Sequence, residues 1–232
     1  MRKLLIPALG LVLAAPAFAA ATTYELDPAH SAAHFSVKHM MVSNVRGEIS
    51  GVKGTVSLDD KSLKTSTVEV TLDVSTINTR EPKRDAHLKS ADFFDVAKNP
   101  TITFKSTSIT AAGKEKYKVV GDLTMHGETH PATLAVTATG SVKDMMGTPR
   151  RGFEATTKLS RKTWALTWNK ALEAGGVAVG DEVTVTIDGE LVEKTDSTAA
   201  KATATTPSTA GAKATTGSPT PAKDAKAATP AK

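Results

Sequence analysis

The sequence predicts an all-β domain of about eight antiparallel strands, closed as a barrel or packed as a sandwich. Three observations lead there. Alternation of apolar and polar residues with period 2 runs through most of residues 22–195. Clusters of Gly, Pro and Asn cut that pattern into short segments. Within it there is no continuous apolar run of the kind that a buried parallel strand needs.

Taken in order, the chain begins with Arg2 and Lys3, an apolar run over residues 4–15, Pro16 and the small-x-small triplet Ala17-Phe18-Ala19. A dozen apolar residues make only about 18 Å of helix, against a hydrocarbon core of roughly 30 Å. Residues 1–19 therefore read as a secretory signal, and the mature chain is expected to be periplasmic and soluble. In the first strand Ala33, Phe35 and Val37 share one face, with His34, Ser36 and Lys38 on the other. Val68, Val70, Leu72 and Val74 alternate with Glu69, Thr71 and Asp73, and Ile102 and Phe104 alternate with Thr101, Thr103 and Lys105. Leu134, Val136 and Ala138 form a further apolar face, as do Val183, Val185 and Ile187. More strands are expected near 45–58, 116–125 and 152–159. The connection over residues 78–99 is too long for a hairpin. Glu81-Pro82 starts a short helix there, followed by Phe93-Phe94, as a flap on the barrel. A second long connection, residues 161–180, holds Trp164 and Trp168 and is expected to cover the other side or end. The domain is expected to occupy residues 20–195. From 197 to 232 there is no Val, Ile, Leu, Met or aromatic residue, so residues 196–232 are expected to stay disordered as an Ala/Thr/Lys/Pro tail.

Composition excludes several functions. The 232 residues contain no cysteine, which removes disulfides, thiolate metal sites, a cysteine nucleophile and a lipoprotein anchor. The net charge of +5 sits at the ends: +2 from Arg2 and Lys3, and +3 from five lysines and two aspartates after residue 195. The 22 basic and 22 acidic residues between them cancel, so no nucleic-acid-binding face is expected. On a strand His30 and His34 stand roughly 13 Å apart, and His39 has the opposite parity. His126 and His130 flank a turn but lack a fixed third ligand. No metal site is expected from them. There is no G-x-S-x-G elbow and no phosphate-binding glycine loop, so no catalytic residues are assigned. Arg84, Asp85 and His87 form the densest polar cluster, either a plain helix surface or a polar lip at a cavity mouth.

Eight short stretches in order carry a family resemblance over about 160 residues. They include Tyr24-x-Leu26-Asp27-x-x-His30-Ser31-x-x-x-Phe35-x-Val37-x-His39-Met40, Val45-x-Gly47 and Ser75-x-Ile77-x-Thr79. They continue through Arg84-Asp85-x-His87-Leu88-Lys89-Ser90-x-Asp92-Phe93-Phe94-Asp95 and Pro100-x-Ile102-x-Phe104. Gly121-Asp122-Leu123-Thr124-x-His126-Gly127, Gly152-Phe153-x-Ala155 and Val179-Gly180-Asp181-Glu182-Val183 complete them. The chain resembles the YceI-like family of exported, lipocalin-like, isoprenoid-binding proteins.

The resemblance implies an eight-stranded lipocalin-like barrel with a long apolar cavity, no enzyme activity and no cofactor beyond a bound lipid. It implies a periplasmic carrier for a long amphiphile, such as a polyisoprenoid, a quinone or a fatty-acid derivative, and pairing into homodimers. On that reading Phe35 and Val37, Val70 and Leu72, Ile102 and Phe104, and Leu123, Val136 and Phe153 line the cavity. Phe93 and Phe94 join them at the flap, and Arg84, Asp85 and His87 are candidates for the head group. Three rival readings remain at this stage. One is a filled core with no cavity, another is an enzyme acting on a lipid within the barrel, and the third is an envelope-stress scaffold. The lysines of the tail suggest a weak contact with anionic envelope surfaces.

Overall fold

Strand periodicity becomes ten strands in the computed structural model, which describes residues 21–59, 61–173 and 175–194. The expected leader at 1–19 and tail at 196–232 lie outside the described residues. The strands are β1 (Thr22–Leu26), β2 (Ala32–His39), β3 (Ser43–Ile49), β4 (Gly51–Leu58), β5 (Thr67–Asp73), β6 (Thr101–Gly113), β7 (Lys116–Met125), β8 (Glu128–Lys143), β9 (Pro149–Ser160) and β10 (Val179–Glu193). Among the described residues one α-helix, α1 (Pro82–Lys89), lies between β5 and β6, after a 3-10 turn over Val74–Thr76. No described helix is long and apolar enough to cross a membrane.

These ten strands follow eight paths. From β4 to β10 each strand pairs antiparallel with the next. The free edge of β10 then pairs with β2 and, further along, with β1. On their other edges β2 pairs with β3 and β1 with β4. So β1 and β2 are halves of one strand interrupted at residues 27–31, and β3 and β4 are halves of one strand bent at Ser50. The sheet closes as an eight-stranded, up-and-down antiparallel barrel, and the outer edge of β3 meets Asn78 through an isolated bridge from Glu48.

Connections in such a barrel alternate between its two ends. The β5–β6 and β9–β10 connections are therefore at the same end, together with the β2–β3 and β7–β8 turns. This corrects the expectation that the tryptophan-bearing connection covers the other end. The Trp168 ring lies 5.1 Å from Phe93 and 4.9 Å from His87, both in the flap. Trp164 is 2% exposed and donates from Nε1 to the Leu123 carbonyl at 2.9 Å. The flap starts as expected, with Glu81 accepting from the Lys83 amide at 3.1 Å and Pro82 in the first helical turn. The tightest packing is at this capped end, where Val52 and Val74 are fully buried.

Two local devices set the register. A bulge between Ser106 and Ser108 shifts β6, so that the inward side passes from Ile102 and Phe104 to Ile109. Ser106 Oγ takes the Val68 amide there at 2.8 Å. Gly121 lies where a Cβ would stand 2.4 Å from the Lys105 carbonyl oxygen and 2.5 Å from the Phe104 ring. Because one of those neighbours is backbone, relief requires the ladder itself to move. Gly121→Ala should cost about 2 kcal/mol, a fall of about 4–8 °C in Tm by calorimetry for a domain of this size.

At the uncapped end Arg150 ties three segments together. Its guanidinium donates to Asp27 at 2.8 Å, Asp144 at 2.9 Å and Glu190 at 2.9 Å. Asp27 lies in the gap between β1 and β2, and Asp144 in the β8–β9 turn. The Arg150 hydrogen bond, aided by His30 and the Ala29 amide, lowers the Asp27 pKa from 3.8 to about 2. A depressed carboxylate pKa contributes stability that is present above 3.8 and lost as pH falls through 2. Arg150→Met should therefore lose on the order of 2 kcal/mol near neutral pH, with the gap to wild type narrowing between pH 4 and 2. Urea midpoints measured across that range check both the size and the direction.

Candidate functional site

Period 2 gives every strand one inward face, and the inward faces here are slender. Val, Ala, Leu and Ile dominate, with Gly121 and Gly189 at positions where a Cβ would strike the rings of Phe104 and Phe153. Eight strands enclose an interior that bulky side chains just fill, so slender ones leave space. A cavity of about 310 Å³ occupies the barrel. On β7 its wall runs from Tyr117 to Met125. Those eight steps cover about 27 Å along the strand, or about 20 Å along the axis at a tilt of about 40°.

All eleven residues expected to line such a cavity are in its wall: Phe35, Val37, Val70, Leu72, Phe93, Phe94, Ile102, Phe104, Leu123, Val136 and Phe153. Several of them, including Phe35, Val70, Leu123, Val136 and Phe153, face inward yet remain only half-buried. In a filled core they would be buried as completely as Val52 and Val74 are. Leu88 and Leu166 join Phe93 and Phe94 at the capped end, while Leu63 and Tyr117 lie toward the other.

Arg84, Asp85 and His87 are not in this wall, which corrects their placement as a polar lip. The sequence shows their density but not their partners, and those partners hold them elsewhere. Thr79, 4% exposed, gives its amide and hydroxyl to Asp85. Its hydroxyl and carbonyl oxygens accept from Arg84, each at 2.8 Å. Arg84 borders a separate polar depression with Arg46, Glu48 and Asn78. The His87 ring stands edge-on to Phe93 and Trp168, with Nε2 2.9 Å from Asp92. These three residues fasten the cap.

The charged side chains that do reach the wall include two arginines that sequence reasoning missed. Arg161, 4% exposed, donates to the carbonyls of Gly180 and Leu166 and sits 3.4 Å from Asp181. Burial pushes its pKa below the usual guanidinium value, against the opposing pull of Asp181. It pins the second connection to β10. Arg151 has the inward parity of Phe153 and Ala155, and its guanidinium carbon lies 5.6 Å from the centre of the Tyr24 ring. Parity along β9 was the signal for Arg151.

Among the described residues, Asp27, His30 and Glu190 bring possible ligand atoms within 4.8 Å of one another. Arg150 already supplies the cation for both carboxylates. His126 and His130 converge on Trp164, one facing its carbonyl at 3.2 Å and the other its ring at 5.6 Å.

The YceI-like domain profile matches residues 24–191. A UPF0312 protein of Vibrio parahaemolyticus is 36% identical over 160 residues, which cover 68% of this chain and 85% of that one. Among solved structures, Burkholderia cenocepacia BcnA aligns with a TM-score of 0.63 at 22% identity, covering 71% of this chain and 98% of its own. A polyisoprenoid-binding domain from Saccharophagus degradans, implicated in plant cell wall breakdown, aligns with a TM-score of 0.53 at 15% identity, covering 74% and 98%. These two likenesses carry the barrel fold. The profile match spans most of the chain, and the Vibrio relative exceeds a third identity over most of its own length: the chain belongs to the YceI-like family.

Proposed function

We propose that the protein is a periplasmic carrier that holds a long-chain amphiphile, such as a polyisoprenoid, a quinone or a fatty-acid derivative, inside its barrel. The observation that carries this reading is the apolar cavity walled by half-buried inward residues. Family membership supports a binding role over a catalytic one, and a barrel of this fold is a polyisoprenoid-binding domain in Saccharophagus degradans. The amino-terminal sequence supports export. Pairing into a homodimer and a weak contact of the lysine-bearing tail with anionic envelope surfaces belong to the same proposal.

The energetics fit a carrier. An apolar cavity is poorly hydrated and takes apolar guests. Burial is worth on the order of 0.8 kcal/mol per CH₂. Summed over a long prenyl chain, that would exceed the ceiling of about −18 to −21 kcal/mol for non-covalent affinity. Chain ordering and incomplete burial offset the excess, which keeps the cargo releasable.

Native mass spectrometry of the mature protein from its own periplasm, followed by solvent extraction, should reveal one stoichiometric lipid. A clean apo mass with no uptake of offered lipids would instead favour a scaffold with an unused cavity. A second test fills the space. Val136→Trp should lower lipid uptake at least tenfold while Tm holds or rises, because the indole occupies existing volume. Unchanged uptake would place the lipid outside the barrel.

A further inference from the structure

One guanidinium in the cavity wall has no hydrogen-bonding or ionic partner among the described residues. Arg151 faces inward on β9, in register with Ser141 of β8 and Leu191 of β10, neither of which carries charge. Its Nε is buried and makes no hydrogen bond. Among the described residues no carboxylate forms an ion pair with it, including Glu193, two residues beyond Leu191 on β10. The guanidinium carbon stands 5.6 Å from the centre of the Tyr24 ring, a contact that uses none of the guanidinium's N–H donors. The adjacent Arg150 is saturated by three carboxylates, and Arg161 is engaged by carbonyls and Asp181. Among the described residues, Arg151 alone of the three lacks anionic or carbonyl partners. A buried unpaired donor is costly, and each such group in a native structure calls for an explanation.

We propose that Arg151 anchors the head group of the cargo, and that the cargo carries an anionic head, a carboxylate or a phosphate, on a long apolar chain. This rests on the lipid-cavity reading and narrows it. Arginine's planar fork matches both oxyanions and offers a neutral quinone or alcohol less. The position sets the direction of loading. Arg151 lies nine residues before the end of β9, about 30 Å along the strand from the capped end. The head is held at the uncapped end, and the chain runs toward Phe93 and Phe94.

The test uses delipidated, full-length mature protein and three probes of equal chain length: hexadecanoic acid, hexadecanol and hexadecyl phosphate. Each competes with a neutral naphthylamine reporter. Wild type should bind the acid or the phosphate about tenfold tighter than the alcohol or better. The gap should close to about twofold in Arg151→Gln and survive in part in Arg151→Lys. Whichever anion binds tighter separates fatty acids from lipid phosphates as the source. Equal binding of acid and alcohol by wild type, which requires no variant to fold, overturns the anchor and leaves the lipid cavity standing. So does a preference that Arg151→Gln retains in full. Failure of wild type to take up any of the three chains overturns the lipid reading itself.

Discussion

Closure of the sheet through β10 is the constraint on which the molecule depends. That strand pairs with β9 along one edge and with β2 and then β1 along the other, so it holds both ends of the sheet. Closure fixes the number of strand paths at eight, and eight paths fix the bore. Side-chain size then decides whether the bore is filled. Here the decision differs along the axis. At one end Val52, Val74, Trp164 and Leu166 pack completely. In the middle Val and Ala stand where larger residues would meet, and glycines give way to the rings of Phe104 and Phe153. The cavity is thus a product of ordinary residues placed at the inward parity, without special chemistry.

Charge follows a complementary rule. Where a strand is interrupted, at residues 27–31, lost ladder bonds are replaced by specific ones. The Asp27 amide reaches the Glu190 carbonyl at 2.8 Å, and the Glu190 amide reaches Ser31 Oγ at 3.2 Å. Arg150 then locks the same place from outside the barrel. Almost every polar group near the cap or the break is already engaged in holding the barrel together. That leaves the interior wall chemically sparse, and a single unpaired group there has a large influence on what can be bound.

Much of this was legible in the sequence because a strand's period is rigid. Alternation identified the inward residues of β2, β5, β6, β8 and β10, and so the cavity wall. It also contained two facts that were not drawn from it. Counting strands places the connections after β5 and β9 at one end, so the tryptophans and the flap had to meet. Extending the parity of Phe153 by two residues turns Arg151 inward. Other features had no local signal. The bulge at Ser106 moves Ile109 to the inner face, and only the pairing with β7 reveals it. The polar cluster on α1 was dense in sequence, but its partner Thr79 decides its orientation, and that contact depends on how the chain folds back after β5.

The gathering of both long connections at one end has an optical consequence. The chain has only two tryptophans, and both stand in the cap. Trp164 is sealed, and Trp168 touches Phe93, whose ring is part of the cavity wall. Tryptophan emission, excited at wavelengths that tyrosine does not absorb, is therefore blind to events at the Arg151 end and sensitive to whatever reaches Phe93. In a homologous series of guests, short chains should bind silently, and emission should change only once the chain is long enough to touch the cap. The protein carries its own depth gauge.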